Sequence, residues 1–344
     1  MRRSGAVHNT TAFAQYALLR SLFGVFHMFG VDQNMRTAAG CGRAYFHAVR
    51  RHRERAIGHI SRSLPELSPE QVHALAQRSV ESLFQMFLVE TVAIPRLLTP
   101  TSWPTYVRPN AISGELKLLL SRDPALFVTG HCGNWELLGY ALALLGFNMS
   151  ALARPLDNPW LDQWIRSVRE ARGLKVLTKW GATTEVQRVI EAGGRVGFIA
   201  DQNAGDDGLF VPFFGRLASS YKSIGLLAMR YETPIVVGSA RRCDGTFSYE
   251  LDHCDIITPG QWRDQPDPLF YITARFNRAI ELAIRRAPEQ YLWVHRRWKS
   301  RPAHERLGKP LPDRLREKLK QLPWMTDDEL HRLEQPIEPL PTKR

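Results

Sequence analysis

The sequence has little of several features that would each define a class of protein. Its 344 residues contain only four cysteines, without regular spacing, which argues against a disulfide framework and favours reduced thiols in a cytosol-facing protein. It has no internal repeat or low-complexity tract, and a content of 44% apolar and 23% charged residues excludes a disordered chain. Acidic residues are outnumbered, because 34 Asp and Glu face 46 Lys and Arg and leave a formal charge of +12. This excess implies an anionic partner, for which nucleic acid, anionic lipid and a phosphorylated substrate all qualify.

An apolar stretch near the N-terminus, residues 12–31, is interrupted by Arg20 and is too long for the apolar core of a signal peptide. Its nine Leu, Phe and Val residues favour membrane insertion by about 4 kcal/mol, whereas Arg20 costs about 2.5 to 3.5 kcal/mol. We therefore expect a helix that lies in the membrane interface or anchors shallowly, with a buried helix of a soluble core as the alternative. The next segment contains one glutamate and six arginines, an excess of positive charge that suits an anionic cytoplasmic leaflet. The arginines are Arg43, Arg50, Arg51, Arg53, Arg55 and Arg62.

The first hundred residues read as helices. One of them is expected from about residue 70 to 92, with Ser68 as its N-cap and Pro69 at the first helical position. The segment from Pro95 to Pro109 contains four prolines and is predicted to be a linker.

From about residue 112 to 301, short apolar strands alternate with helices. This alternation indicates the α/β class, with a largely parallel central sheet flanked by helices and a final strand at residues 290–295. We expect three parts: an N-terminal helical, membrane-associated region over 1–100, an α/β domain over 101–305, and a charged, proline-rich tail over 306–344. The tail is predicted to hold short helices near 314–321 and 326–333.

The sharpest chemical motif is GHCGNWE, residues 130–136, directly after the predicted strand ALFVT. His131 and Glu136 are five residues apart, a spacing that would turn their faces about 140° apart on one regular helix. If the helix instead begins after Asn134 as N-cap, Glu136 takes the second helical position and can point back to His131. His131 would then follow the carboxyl end of a strand, where open α/β sheets place their sites. A carboxylate on one imidazole nitrogen would leave the other to take a proton from a hydroxyl.

Other interpretations of this motif stay open. An acid in the first turn of a helix is often there only to complement the helix dipole, and a histidine in such a turn is often structural. A nucleophilic Cys132 is disfavoured, because adjacent residues at a strand end tend to point to opposite sides. No second histidine or acidic cluster lies nearby at ligand spacing, so we predict no metal.

Five blocks of the chain together resemble the bacterial lipid A biosynthesis acyltransferases, the lauroyl- and myristoyl-transferase family of glycerolipid-type enzymes with an HxxxxD/E motif. GHCGNWE resembles the GHxGNWE form of that motif. The other blocks follow the family in order and spacing over roughly residues 12–302: ERAIGHISRSLPELS, ALARPLDNPWLDQWIRSVREARG, FIADQNAGDDGLFVPFFGRLASS and QYLWVHRRWKSRP.

The resemblance implies roles for particular residues. His131 would be the general base and Glu136 its orienting partner. Arg154 would lie near the phosphate of the acceptor or the developing oxyanion, and Asp201 and Gln202 would line the same cleft. The backbone at the Asn134 helix start is a further candidate for binding the oxyanion. A thiolate leaves readily and an alcohol needs one base, so neither a cofactor, a metal nor an acyl-enzyme is required.

We therefore expect a membrane-associated O-acyltransferase that moves a fatty acyl chain from acyl carrier protein or coenzyme A to a hydroxyl of an anionic glycolipid, with a lipid A precursor as the expected acceptor. Its expected place is the cytoplasmic face of a bacterial inner membrane, on an anionic lipid surface and without nucleic acid. The alternatives are acylation of another glycolipid or phospholipid, or a catalytically silent relative that binds lipid or nucleic acid.

Overall fold

The computed structural model describes residues 2–110, 113–121, 123–178, 182–243 and 246–335. A π-helical turn, Met86–Glu90, lies between α4 and α5, and a 3-10 turn, Pro288–Gln290, follows α13. The helices are α1 Arg2–Phe26, α2 Val31–Ala48, α3 Arg50–Ser63, α4 Pro69–Gln85, α5 Thr91–Leu97, α6 Trp103–Tyr106, α7 Ser113–Leu120, α8 Trp135–Leu144, α9 Pro159–Glu170, α10 Ala182–Glu191, α11 Ser223–Tyr231, α12 Pro259–Trp262, α13 Pro268–Arg286, α14 Ala303–Arg306, α15 Asp313–Lys320 and α16 Asp327–Glu334. The strands are β1 Val107–Asn110, β2 Ala125–Thr129, β3 Met149–Ala153, β4 Lys175–Thr178, β5 Arg195–Ile199, β6 Leu209–Phe213, β7 Arg216–Ser220, β8 Ile235–Arg242 and β9 Tyr249–Ile257.

The central sheet has the strand order β1-β9-β8-β2-β5-β3-β4. Five of its six neighbouring pairs are parallel, and β8 with β9 is the antiparallel one. Strands β6 and β7 form a separate antiparallel hairpin. The predicted α/β class and mostly parallel sheet are therefore confirmed. The sheet also places β2 and β5 side by side in its middle, where their carboxyl ends form one edge.

Local capping signals placed several helix starts correctly. Ser68 caps α4 with a reciprocal capping box, and Pro69 is the first residue of that helix. The Asn158 side chain accepts hydrogen bonds from the first turn of α9, which begins at Pro159. The two predicted helices of the tail also form, as α15 and α16.

Two assignments of secondary structure were wrong. The proline-rich segment 95–109 is not simply a linker, because α5 runs through Pro95 to Leu97 and β1 joins the sheet beside β9. Residues 290–295 do not form a strand; they leave a 3-10 turn and make one isolated bridge, between Tyr291 and Cys132. Instead of entering the sheet, the Tyr291 and Trp293 rings of this segment pack into the core.

One hydrophobic cluster draws on all three predicted parts of the chain, including Phe46, Ile60, Val128, Phe276 and Leu330. The division into a helical region, an α/β domain and a tail stays a prediction. Helix α1 packs on α9 through its aromatic side chains, with Phe13 and Trp160 ring centroids 5.2 Å apart. Other apolar side chains of α1 are exposed, Leu18 at 63% and Val25 at 60%. Within the described ranges, no helix has the length and apolar character needed to cross a membrane.

Candidate active site

The two central strands bring His131 and Asp201 together. In the parallel pair of β2 and β5, Thr129 lies opposite Ile199. His131 and Asp201 each follow two residues after these positions, so they leave the same edge of the sheet side by side. The intervening Gly130 is required by this approach, since a Cβ there would lie 2.8 Å from the Ile280 side chain. This is the carboxyl edge at which α/β sheets place their sites.

Asp201 holds one nitrogen of the His131 ring. The Nδ1 atom of His131 lies 2.7 Å from Oδ1 of Asp201, whose side chain is almost completely buried. Burial alone would raise the pKa of Asp201, but the charge and hydrogen bond of His131, together with the charge of Arg297, lower it. An ionised Asp201 accepts a hydrogen bond from Nδ1–H and leaves Nε2 as the proton-accepting atom.

His131 lines a cleft at this edge of the sheet. Nε2 of Gln202 lies 3.4 Å from Nε2 of His131, and the Trp135 ring packs edge-on with its centroid 4.7 Å from that of His131. Glu90 and Arg242 line this cleft together with His131. His131 and Gln202 thus lie side by side, and the role of Gln202 in lining the substrate cleft stays a prediction.

The helix start predicted at Asn134 is confirmed. Helix α8 begins at Trp135, and Oδ1 of Asn134 accepts a hydrogen bond of 2.8 Å from the Leu137 N–H. The turn before it is closed by Gly133, whose φ of +63° and contact with the Ala240 carbonyl leave no room for a Cβ. Glu136 therefore occupies the second helical position.

Glu136 does not reach His131 in the way the spacing suggested. Its carboxylate forms a bidentate ion pair with Arg169 of α9, with distances of 2.7 Å from Nε and 2.6 Å from Nη2. The carboxylate on the imidazole is that of Asp201, which the family resemblance had assigned to the substrate cleft. The reason is topological, because strand pairing places Asp201 beside His131 while α9 presents an arginine to the first turn of α8.

Cys132 is poorly placed for nucleophilic chemistry. Burial, as the largest cause, and the nearby Asp201 charge raise the pKa of its thiol well above the usual value. The side chain is 3% exposed and lies in the hydrophobic core. A thiol held protonated in this position is a weak nucleophile.

Arg154 lies at the same edge of the sheet, after β3, but does not meet His131. Its side chain is 77% exposed and pairs loosely with the exposed Asp157 at 3.7 Å. A different arginine, Arg55, is linked to the turn after Asp201 through the segment 294–296. Arg55 of α3 donates a hydrogen bond of 3.0 Å to the Val294 carbonyl, and the next residue, His295, accepts one of 3.3 Å from the Asn203 N–H.

Three residues around the site were not identified from the sequence. Arg169 pairs with Glu136, and Glu90 and Arg242 form an ion pair beneath the site. Arg297 is almost completely buried and donates to the Gln202 carbonyl at 3.2 Å. Glu90 offered one signal, since it is a lone charge within the apolar run MFLVETVAI.

Comparisons with known proteins identify a family and several relatives. A sequence model of the family described as bacterial lipid A biosynthesis acyltransferase matches residues 7–300. A lipid A biosynthesis palmitoleoyltransferase of Escherichia coli (strain K12) and a lipid A biosynthesis acyltransferase of Shigella flexneri are each 31% identical over 195 residues, 56% of this chain and 61% of each relative. A lipid A biosynthesis lauroyltransferase of Escherichia coli (strain K12) is 29% identical over 151 residues, 43% of this chain and 48% of that protein. The chain thus spans about three fifths or less of the length of the curated relatives it matches.

Proposed function

Because the chain belongs to the bacterial lipid A biosynthesis acyltransferase family, we propose that it transfers a fatty acyl chain from a thioester to a hydroxyl of an anionic glycolipid, a lipid A precursor. The donor is acyl carrier protein or coenzyme A. The observation that carries the proposal is the hydrogen bond between Nδ1 of His131 and Asp201, which leaves Nε2 as the proton-accepting nitrogen of a residue that lines the cleft. Three relatives with acyltransferase names in lipid A biosynthesis support the choice of reaction.

His131 is the general base of the proposed reaction. Its Nε2 takes the proton of the acceptor hydroxyl while the hydroxyl oxygen attacks the thioester carbonyl carbon. The tetrahedral intermediate collapses by breaking the carbon–sulfur bond, and the proton on Nε2 passes to the departing thiolate. Asp201 holds the ring in the required tautomer and stabilises the imidazolium that forms. The products are an ester and a free thiol, so no acyl-enzyme is formed.

The start of α8 is the proposed site of oxyanion stabilisation. The first N–H groups of a helix have no partner within the helix and lie at the positive end of its dipole. Asn134 caps this turn, and the Glu136–Arg169 ion pair ties it to α9. We assign Glu136 a positioning role here, because its carboxylate contacts Arg169 rather than the imidazole.

The acceptor phosphate has a candidate site in what we call the arginine cluster, Arg51, Arg55 and Arg296. Arg51 and Arg55 are one turn apart on α3, and the bond from Arg55 to Val294 brings them to Arg296. Burial, then the charges of Arg296 and Arg51, lower the pKa of Arg55. Among the residues that the structure describes, none of the three forms an ion pair, whereas the adjacent Arg50 pairs with Glu54 at 2.5 Å. Three guanidinium groups without carboxylate partners suit a phosphate group.

The membrane-facing part is assigned to α1. Its exposed apolar side chains include Phe13, Leu18, Leu22 and Val25, and Arg20 lies over the Trp164 ring at 4.8 Å. A helix of this kind lies in an interface with its apolar side in the lipid, and the charge of +12 favours an anionic leaflet. We place the protein at the cytoplasmic face of the bacterial inner membrane.

The test is acyl transfer by the purified protein in detergent micelles or vesicles, with acyl carrier protein or coenzyme A thioesters and a lipid A precursor, followed by mass spectrometry of the lipid. We expect His131→Ala and Asp201→Asn to lower turnover by about 10³-fold or more while both proteins stay folded and bind vesicles. Turnover that survives in His131→Ala would overturn the mechanism. A wild-type protein that binds lipid and transfers no acyl group would overturn the proposed function.

A further inference from the structure

The turn that carries His131 is hydrogen-bonded to a buried ion pair beneath the cleft. Glu90 is the last residue of the π-helical turn and is 1% exposed. Its Oε2 accepts a hydrogen bond of 2.8 Å from Nδ2 of Asn134, and its Oε1 accepts one from Nη1 of Arg242. Arg242 also donates to Oγ of Ser82 at 3.0 Å. The carboxylate therefore joins β8 and the N-terminal helices to the first residue before α8.

Asn134 uses both ends of its amide in this arrangement. Its Oδ1 accepts from the Leu137 N–H, and its Nδ2 donates to Glu90. An acceptor is needed toward the helix and a donor toward the carboxylate, so only one orientation of the amide satisfies both. Its backbone N–H is held as well, by the Ala240 carbonyl at 2.7 Å. The side chain and main chain of Asn134 are thus fixed from opposite directions.

Arg242 connects to the same turn through a second set of hydrogen bonds. Its backbone exchanges two hydrogen bonds of 2.9 Å with the side chain of Gln290, and the Gln290 carbonyl accepts from the Gly133 N–H at 3.0 Å. Gly133 and Asn134, two and three residues after His131, are consequently set by one network, and Glu90 supplies the acidic group of these contacts.

We infer that Glu90 is a positioning residue for the site: through Asn134 it fixes the helix start that lies beside His131. The inference rests on the proposed acyl transfer. A buried ion pair gives little net stability compared with apolar residues of similar size, so its more specific effect is to select one geometry. Glu90 lies in the π-helical turn, a feature common at functional sites, and this turn positions its carboxylate to accept the hydrogen bond from Asn134.

The experiment exchanges the two partners. In Glu90→Gln, the new side-chain amide points an N–H donor at the N–H donor of Asn134. In Asn134→Asp, the new carboxylate lies next to the carboxylate of Glu90 and is repelled by it. The double variant restores a donor and an acceptor, because the introduced glutamine side chain can turn its oxygen toward Arg242 and its nitrogen toward the introduced aspartate, which still caps α8. Asn158→Asp is the matched control, because Asn158 also caps a helix, α9, but does not contact Glu90.

We expect each single variant to lower kcat about tenfold or more with KM for the thioester little changed, and the double variant to recover most of that loss. The control should keep wild-type kcat, and all rates are referred to folded protein measured by thermal unfolding. Singles with normal kcat, or a double variant whose loss is the product of the two single losses, would overturn the inference. Neither outcome touches the proposed function, which fails instead if the wild-type protein transfers no acyl group.

Discussion

The arginine cluster of Arg51, Arg55 and Arg296 permits a sharp test of the acceptor. Arg55 is held by the Val294 carbonyl, so the change is best made at the two exposed members, as the double variant Arg51→Gln with Arg296→Gln. Arg50→Gln is the matched control, since Arg50 is the neighbour of Arg51 on α3 but pairs with Glu54. All three substitutions lie on the surface and are expected to leave the fold intact.

The size of the effect follows from the exposure of these two side chains. A guanidinium about 4 Å from a charged oxygen contributes about 1 kcal/mol when the surroundings are nearly as polar as water. Removing two such charges costs about 2 kcal/mol, which corresponds to about 30-fold in kcat/KM for the acceptor. Salt should reduce the difference, because the screening length falls from about 10 Å at 0.1 M to about 3 Å at 1 M.

The assay compares initial rates on the phosphorylated acceptor and on the same lipid after phosphatase treatment, with the acyl thioester saturating. The variant should lose about 30-fold on the first acceptor and less than about threefold on the second. Equal losses on both acceptors would refute a phosphate contact. A raised KM for the acyl carrier protein, with the acceptor constants unchanged, would assign the cluster to the donor.

Three further outcomes are expected. Gly133→Ala should lower the free energy of unfolding by about 2 kcal/mol or more in urea titrations, because φ at this position is +63° and the new Cβ would meet the Ala240 carbonyl. Gly146→Ala should lower the free energy of unfolding by less, because φ there is +90° but no atom lies within 4 Å of the new Cβ. His59 has its pKa lowered to about 4, chiefly by burial, so the unfolded chain takes up a proton that the folded protein does not as the pH falls from about 6.5 toward 4. Stability should fall over that range by up to about 3 kcal/mol from this group, and His59→Gln should make the slope shallower. Leu18→Glu with Leu22→Glu should weaken sedimentation with anionic vesicles, whereas Leu307→Glu, at another exposed apolar side chain, should not.

Much of the fold could be predicted because its signals are local. Ser68 and Asn134 each cap the helix they were expected to begin, since an N-cap acts within three residues. The mostly parallel sheet followed from the alternation of strands and helices. The prediction of a strand at 290–295 was wrong, because this apolar segment leaves a 3-10 turn and packs its Tyr291 and Trp293 rings into the core instead of joining the sheet.

The identity of the carboxylate on His131 lay beyond local reasoning. Asp201 follows the end of β5 and Glu136 lies in the first turn of α8, and both positions are near the imidazole. Only the pairing of β2 with β5 decides which carboxylate reaches Nδ1 of His131. That pairing joins segments 70 residues apart. The spacing within GHCGNWE correctly located the start of α8, but it contained no information about Arg169, which takes the Glu136 carboxylate from 33 residues away.

The side chains missed by reasoning from the sequence share a physical property that explains why they were missed. Glu90 and Arg242 are charged and at least nine-tenths buried, and the desolvation of such a group must be offset by a partner. A lone charge in an apolar run therefore indicates that a partner exists. It does not indicate which one, because Glu90 bonds to Asn134, 44 residues away, and to Arg242, 152 residues away. The fold determines which residues become partners of these buried charges. Local sequence patterns therefore cannot identify the partners, although the burial of the charges makes them important to the site.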